Sequence, residues 1–541
     1  MNLRLLCQLL SLVAVLIGAA MLFSVPWALP ALGGQWEHER AGFFGLLGAT
    51  AACLLVAWGL NRLGRGAQGQ LFRREAMAVV GLSWVLATVL GALPYIFSGV
   101  HRAQGEPMTP LDAMFEAQSG FSTTGATVLT DVENPALVPR CILFWRSSTH
   151  LLGGLGIIVL FVAILGQGSA GKALMRAEMP GPSKATPQAR MQQTAWVLFL
   201  IYATLNLVLA VVLVLEGLSP FDAICHAFGT MATGGFSTRN ASVGYFAAAP
   251  GVNGPLVEMT IAAFMMLAGT NFMLLYWMVL GQPRRLAADA EWRCYVGVML
   301  LATAAVAAMG LHHGDFDGYN GMVPPGAGRS ADAGPLDRAE LVGEAVRLSL
   351  FQVVSIMTTT GFCTDDFDRW NGFARGLLVV LMFVGGCAGS TGGGLKVIRL
   401  VLLAKILRLE IEQAYHPNVI RPLRLGGEVV SDPSLRKNIL VYFCAAAVIF
   451  VAAWLCILAW EPDTTWTAAG RAPEHKLSDA ASCVAATLNN IGPGLGVVGA
   501  TRNYAALSAP TKLLLIALMM LGRLEIFVVV VLFMPSFWRA R

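Results

Sequence analysis

Charge is scarce in this chain. Asp, Glu, Lys and Arg make up 13% of its 541 residues, against about a quarter in an ordinary soluble domain. That shortage excludes a water-solvated surface over most of the molecule. Catalytic patterns are missing too: no His-Glu-x-x-His run and no Ser/His/Asp arrangement occurs, so nothing points to an enzyme. The ten cysteines are scattered, with no Cys-x-x-Cys pair and no metal-ligand spacing. Cys7, Cys53, Cys141, Cys444 and Cys456 fall inside apolar runs and read as small buried residues.

Apolar residues take the place of charge, at 56% of the chain. Runs of about 20 such residues recur along its length, enough to cross a hydrocarbon core of about 30 Å. An all-α polytopic membrane protein follows. The first run, LLCQLLSLVAVLIGAA, continues without a convincing cleavage site and reads as an uncleaved span. Spans are expected near 5–29, 41–61, 76–98, 141–165, 194–216, 256–280, 294–311, 375–404, 438–460 and 510–534. Arg62, Arg65, Arg73, Arg74, Lys172, Arg176, Arg284, Arg285, Arg399, Lys405, Arg436 and Arg539 then share one side with the N-terminus, the cytoplasmic side by the positive-inside rule. Asp131, Glu133, Asp365, Asp366, Glu461 and Asp463 lie opposite. The net charge of +5 is therefore a topology signal and not a nucleic-acid footprint.

A repeat organises the spans. TPLDAMFEAQSGFSTTGATV (109–128) aligns without gaps on SPFDAICHAFGTMATGGFST (219–238). LSLFQVVSIMTTTGFCTDDF (348–367) aligns through Gly361, and LSDAASCVAATLNNIGPGLG (477–496) through Asp479 and Gly492. Each copy lies on the outer side between two apolar spans. The unit is span, short helix, Thr/Gly loop, span. Thr109, Ser219 and Ser478 suit N-caps, and Pro110 and Pro220 suit a first turn. Asp112, Asp222 and Asp479 sit where the helix dipole tolerates an acid. Each short helix points its negative end at a loop that cannot face lipid. Four such loops can satisfy one another around an axis and offer carbonyls to a cation. The competing reading is small-residue packing between helices. Four copies at matching positions argue against it.

These features resemble the TrkH/TrkG/KtrB-type potassium transporters. GGCAGSTGGGLKVIRL (385–400), LMMLGRLEIFVVVVLF (518–533) and the extra pair of N-terminal spans are similar to the TrkH branch, and the resemblance covers essentially the whole chain. It implies K+ as the transported ion, no organic cofactor, a homodimer in the bacterial inner membrane with both termini cytoplasmic, and a cytosolic nucleotide-binding partner of the TrkA type. The cytoplasmic loops are too short to hold a nucleotide-sensing domain of their own. The implied division is two spans in 1–75 and pore repeats in 76–193, 194–293, 294–437 and 438–541. Matched by position, the implied K+ filter has Thr123, Thr233, Thr359 and Asn490 in one layer. Thr124, Gly234, Thr360 and Ile491 form the next, and Gly125, Gly235, Gly361 and Gly492 the third. The fourth copy departs most, so the symmetry is expected to be approximate, with K+ preferred and some tolerance of Rb+ and, at the margin, Na+.

A gate is expected at 385–396. Gly385, Gly386, Gly389, Gly392, Gly393 and Gly394, with Ser390, Thr391 and Lys396, occupy the middle of a span. Each glycine costs about 1 kcal/mol in a helix. A flexible intramembrane loop follows, a merely kinked helix being the alternative. A phosphate-binding loop does not fit, because no Gly-Lys-Ser/Thr follows. Arg523 lies about 13 residues, or roughly 20 Å, into the last span. There a charge costs at least about 2.5–3.5 kcal/mol and marks function. Its expected partners are carbonyls of the glycine loop, or Glu525; snorkelling to the interface is the alternative. His312, His313, Asp315 and Asp317 read as a flexible outer loop and not a metal site. His226, at the position of Glu116, reads as packing or local charge tuning. Arg146 and Glu258 read as fixing helix ends. A Na+- or H+-coupled secondary transporter with a discontinuous-helix site remains the alternative function and predicts two-fold repetition.

Overall fold

A computed structural model describes residues 1–67, 72–154, 156, 188–316, 337–417, 424–425, 428–429, 433–524 and 526–539. These form a helical membrane protein with two short antiparallel strand pairs, His101–Ala103 with Glu106–Pro107 and Arg424–Leu425 with Glu428–Val429. The first helix, Leu3–Leu22, buries Leu6, Leu10, Val13, Ala14, Ile17 and Met21 on one side. Leu12, Val15 and Leu22 stay exposed, as suits a lipid-facing side. It packs against Trp36–Leu63, where Gly18 lies so close to Cys53 that a side chain would press tightly on it.

Among the described residues, six helices are long and apolar enough to span a membrane: Leu3–Ala28, Trp36–Leu63, Arg74–Phe97, Ala195–Leu215, Ala290–His313 and Arg436–Trp460. The other four expected spans are the ones that follow a Thr/Gly loop. The first of them runs over Arg140–Gly154, and its remainder lies outside the described residues. The second is Gly254–Ala268 plus Phe272–Val279, bent by 105° at the Gly269–Asn271 break. The third is Gly372–Leu381 plus Val397–Tyr415, separated by the glycine segment. The last is Ala509–Arg523 plus Ile526–Leu532, with Leu524 extended between them. Only the third break was expected from sequence. The break at Gly269–Asn271 falls on a Gly-Thr-Asn run, and its cost is offset by contacts elsewhere in the fold.

Helix ends are satisfied by long-range acids. Glu39 accepts from the N–H groups of Arg140 (2.6 Å) and Cys141 (3.0 Å), closing the start of Arg140–Gly154. The outer stretch after His313 is packed where it is described. Asp315 accepts from Asn371 N (3.0 Å) and Nδ2 (2.7 Å), and Phe316 is buried against Trp370. The rest of the expected outer loop, 317–336, lies outside the described residues.

Arg146 has a different place from the one expected. It does not fix the end of a helix. It is buried, donates to Glu116 (2.6 Å) and to the Ser237 carbonyl (3.0 Å), and stacks over Phe236. It thus bolts the first repeat to the second. Removing one member of a buried ion pair strands the other, at about 3–5 kcal/mol. Arg146→Ala is expected to lower unfolding stability in detergent by that order, with Arg146→Ala combined with Glu116→Gln recovering part of it. Equal losses in the single and double variants would contradict this role.

Candidate ion pathway

Four short helices converge: Pro110–Phe121, Pro220–Met231, Arg338–Met357 and Lys476–Leu488. Their starts follow local chemistry. Thr109 accepts from Asp112 N (3.1 Å) in a capping box, and Ser219 accepts from Asp222 N (3.1 Å). Asp337 and Glu340 form a capping box on the third. The fourth differs from expectation: it begins at Lys476, so Ser478 is inside the first turn and donates to His475 O. The acids are matched by bases, Asp112 by Lys512 (2.7 Å), Asp222 by Arg239 (3.0 Å) and Asp479 by Arg471 (3.0 Å).

Their ends are alike. In each, an N–H bonds to the carbonyl five residues back: Thr124 to Ser119 O, Gly234 to Gly229 O, Thr360 to Ser355 O and Ile491 to Ala486 O. The preceding N–H makes the companion bond, Thr123 to Gly120 O, Thr233 to Thr230 O, Thr359 to Ile356 O and Asn490 to Thr487 O. These pairs define Schellman ends, whose left-handed position usually holds glycine. Here it holds Thr123 (φ 53°), Thr233 (54°), Thr359 (62°) and Asn490 (55°). A β-branched residue is an outlier in that conformation and stores about 1–3 kcal/mol. Among the described residues only one other non-glycine, Ser242, has a positive φ.

Two residues further on, Gly125, Gly235, Gly361 and Gly492 turn left-handed again. A methyl group on Gly125 would overlap the Gly234 carbonyl oxygen, one on Gly235 that of Thr360, and one on Gly361 that of Ile491. One on Gly492 would overlap that of Thr124. The contacts close a ring in the order first, second, third, fourth, first. A cavity of about 130 Å³ opens beside all four glycines, with Arg146, Arg239 and Tyr504 on its wall.

Side chains brace the ring from behind. His150 Nδ1 meets Gly120 O (2.8 Å) while its Nε2 accepts from Phe236 N (3.1 Å), which assigns a neutral imidazole protonated at Nδ1. Glu116 accepts from Thr127 Oγ1 (2.9 Å), and His226 Nε2 meets Ser237 Oγ (2.9 Å). The same two positions are thus bridged in the first and second copies by different chemistry. Asn490 Nδ2 donates to Thr124 Oγ1 (2.9 Å) across the closing seam.

The glycine segment lies directly below as a bonded shelf, where a flexible loop was expected. Its polar groups are taken up by four neighbouring elements. Cys387 N donates to Gly269 O (2.9 Å), Thr391 Oγ1 to Ala268 O (3.1 Å), and Phe272 N to Gly389 O (3.0 Å), all at the 105° break. Gly393 N donates to Thr359 Oγ1 (2.8 Å), and Gly394 N to Gly522 O (3.2 Å). Glu291, buried at the start of Ala290–His313, accepts from Ala388 N (2.7 Å) and Ile398 N (3.1 Å). Lys396 Nζ donates to Gly392 O. Arg523 donates to Thr391 O (2.6 Å), Thr123 Oγ1 (3.1 Å), Gly154 O (2.9 Å) and Gly153 O. Its fork therefore ties the shelf, the first Thr/Gly segment and the end of Arg140–Gly154 together. The expected carbonyl partner is found in Thr391; Glu525 lies outside the described residues.

Comparison with known proteins places the chain in a family. The TrkH family model, described as cation transport protein, matches residues 52–300 and 337–540. The Trk system potassium uptake protein TrkH of Salmonella typhimurium is 37% identical over 524 residues, 96% of this chain and 97% of that protein. TrkH of Halomonas elongata is 35% identical over the full length of both. The crystal structure of the potassium transporter TrkH from Vibrio parahaemolyticus superposes with a TM-score of 0.79 at 31% identity and covers both chains completely. The chain belongs to the TrkH family.

Sequence reasoning missed four members of this TrkH-family site. His150, Glu291, Lys512 and Tyr504 each stand alone in sequence, outside any motif. For Lys512 and Glu291 a signal existed: each is a charge placed near the end of an apolar span. Thr359 and Thr233 offer an internal control on the shelf. Thr359 Oγ1 accepts from Gly393 N, whereas Thr233 Oγ1 only donates to Ala232 O. Losing an acceptor to a buried N–H costs about 1–3 kcal/mol. Thr359→Val is expected to speed amide exchange across 385–396 several-fold, and Thr233→Val to leave it alone. Equal protection in both variants would refute the contact.

Proposed function

We propose that this protein carries K+ across a bacterial inner membrane through the ring of filter segments, with the 385–396 shelf and Arg523 as its gate. The relatives it matches are named potassium uptake proteins. One observation carries the reading: four glycines, each pressed on the carbonyl of the next repeat, form a closed circuit. Converging backbone oxygens can replace a cation's hydration shell. Thr123, Thr124, Thr233, Gly234, Thr359, Thr360, Asn490 and Ile491 supply the layers beneath Gly125, Gly235, Gly361 and Gly492. The repeats we assign are 76–193, 194–293, 294–437 and 438–541, after two spans in 1–75. On this reading both termini are cytoplasmic, the protein pairs with a second copy, and a TrkA-type nucleotide-binding subunit docks on the basic cytoplasmic loops to move the shelf.

A Na+- or H+-coupled secondary transporter is the competing reading, and the break at Gly269–Asn271 is the feature that favours it. The carbonyls of that break are already engaged. Ala268 O and Gly269 O accept from the shelf, and Asn271 Oδ1 caps Met273 N. Closure in a circuit of four also argues for a channel-like path over a two-fold exchanger.

Reconstituted into liposomes, the protein is expected to take up radioactive Rb+, with K+ competing far better than Na+ or Li+. Gly235→Ser should weaken that discrimination, since a side chain there meets the Thr360 carbonyl. Equal competition by all three ions in the unaltered protein would defeat the reading. Arg523→Ala releases the shelf from Thr123, Gly153 and Gly154. Each bond to a charged group is worth about 1.5–3 kcal/mol, so flux without the regulatory subunit should rise tenfold or more. Unchanged flux in a variant that still folds would remove Arg523 from the gate.

A further inference from the structure

The fourth filter glycine is not like the other three. Gly125, Gly235 and Gly361 have φ of 80°, 79° and 80°, whereas Gly492 has 96°. Its carbonyl is also differently engaged: the Tyr504 hydroxyl donates to Gly492 O at 2.5 Å. Among the described residues, no side-chain N–H or O–H reaches the carbonyl of Gly125 or Gly235. That of Gly361 meets only the thiol of Cys363, at 3.6 Å, a weak donor.

Tyr504 is held in place for this bond by two further contacts. Its own N–H donates to Thr127 O (2.8 Å), on the first filter segment beyond Gly125. Its ring is buried and packs against Phe115 of the first pore helix, centroids 5.4 Å apart. Tyr504 therefore spans the seam where the fourth repeat closes on the first, and it lines the cavity beside the four glycines. A phenol placed there by two separate contacts, on the one glycine whose backbone departs from the others, is a built feature of the filter mouth.

We propose that Tyr504 sets the ion preference of the glycine layer by weakening one of its four oxygens. The proposal rests on reading that layer as the cation filter. A carbonyl has two lone pairs, and a phenol hydrogen bond takes one and draws density from the other. The layer then offers three oxygens of full strength and one reduced. A weaker oxygen field repays less of the dehydration cost of a small ion, so the reduced oxygen favours K+ and Rb+ over Na+.

The test uses the full chain in liposomes, with radioactive Rb+ as the transported probe and Na+ as competitor. Tyr504→Phe keeps the ring and removes the donor. A net hydrogen bond corresponds to roughly three- to tenfold in an equilibrium. The Na+ concentration that halves Rb+ uptake should therefore fall by about that factor in Tyr504→Phe. A ring-fluorinated tyrosine at position 504, a stronger donor in the same shape, should raise it. Parallel movement in these opposite directions supports the proposal. If the unaltered protein prefers Rb+ and neither replacement changes the Na+ competition, the proposal is wrong while the filter reading stands. If the unaltered protein shows no preference, the filter reading itself has failed. Should Tyr504→Phe not fold, the fluorinated protein alone decides between a rise and no change.

Discussion

Backbone that leaves the helix inside a membrane must find every hydrogen-bond partner within the protein. This constraint organises the molecule. Four Thr/Gly segments leave their helices at Thr123, Thr233, Thr359 and Asn490, and none can face lipid. They meet one another instead, and the shelf below them takes up its own polar groups on the break at Gly269–Asn271, on Thr359 and on Glu291. The interrupted spans are thus mutually dependent. A continuous helix in place of any one would remove partners from the others.

The ring is regular in backbone and irregular in side chains. All four segments share the Schellman end and the second left-handed glycine. Behind that shared backbone, Glu116 and Arg146 brace one segment and His226 and Ser237 the next. The seam between the fourth repeat and the first is bridged by polar side chains. Lys512, Asn490, Arg523 and Tyr504 all reach across it. Threonine where glycine would be unstrained fits the same logic. The strain is tolerated because the hydroxyl of Thr359 or Thr123 is needed by the shelf or by Arg523.

Much of this was legible in the sequence because repetition amplifies weak signals. One Thr/Gly loop says little, while four at matching offsets pointed to the four converging helices, the left-handed glycines beyond them and the caps at Thr109 and Ser219. The glycine-rich run 385–396 and the charge at Arg523 were equally visible, since both violate what a span tolerates. The breaks at Gly269–Asn271 and Leu524 were hidden. A single Gly or Asn is cheap in a hydropathy average, and what breaks the helix there is a distant partner. Ser478 misled because the fourth pore helix starts two residues earlier, where no side chain caps it. Arg146 misled because a charge near a span's start usually faces water, and here it faces Glu116. The bonds that hold the 385–396 segment were not legible, because glycine count says nothing about the partners a fold supplies.

The central claim is that the four glycines encircle a cation. Crystals or frozen particles of the full chain prepared in Rb+ test it most directly, Rb+ being located by its anomalous signal or by difference density against Na+. The account predicts Rb+ on the axis enclosed by Gly125, Gly235, Gly361 and Gly492. Ordered filter segments with no Rb+ between them, or Rb+ held instead at the Gly269–Asn271 break, would contradict it.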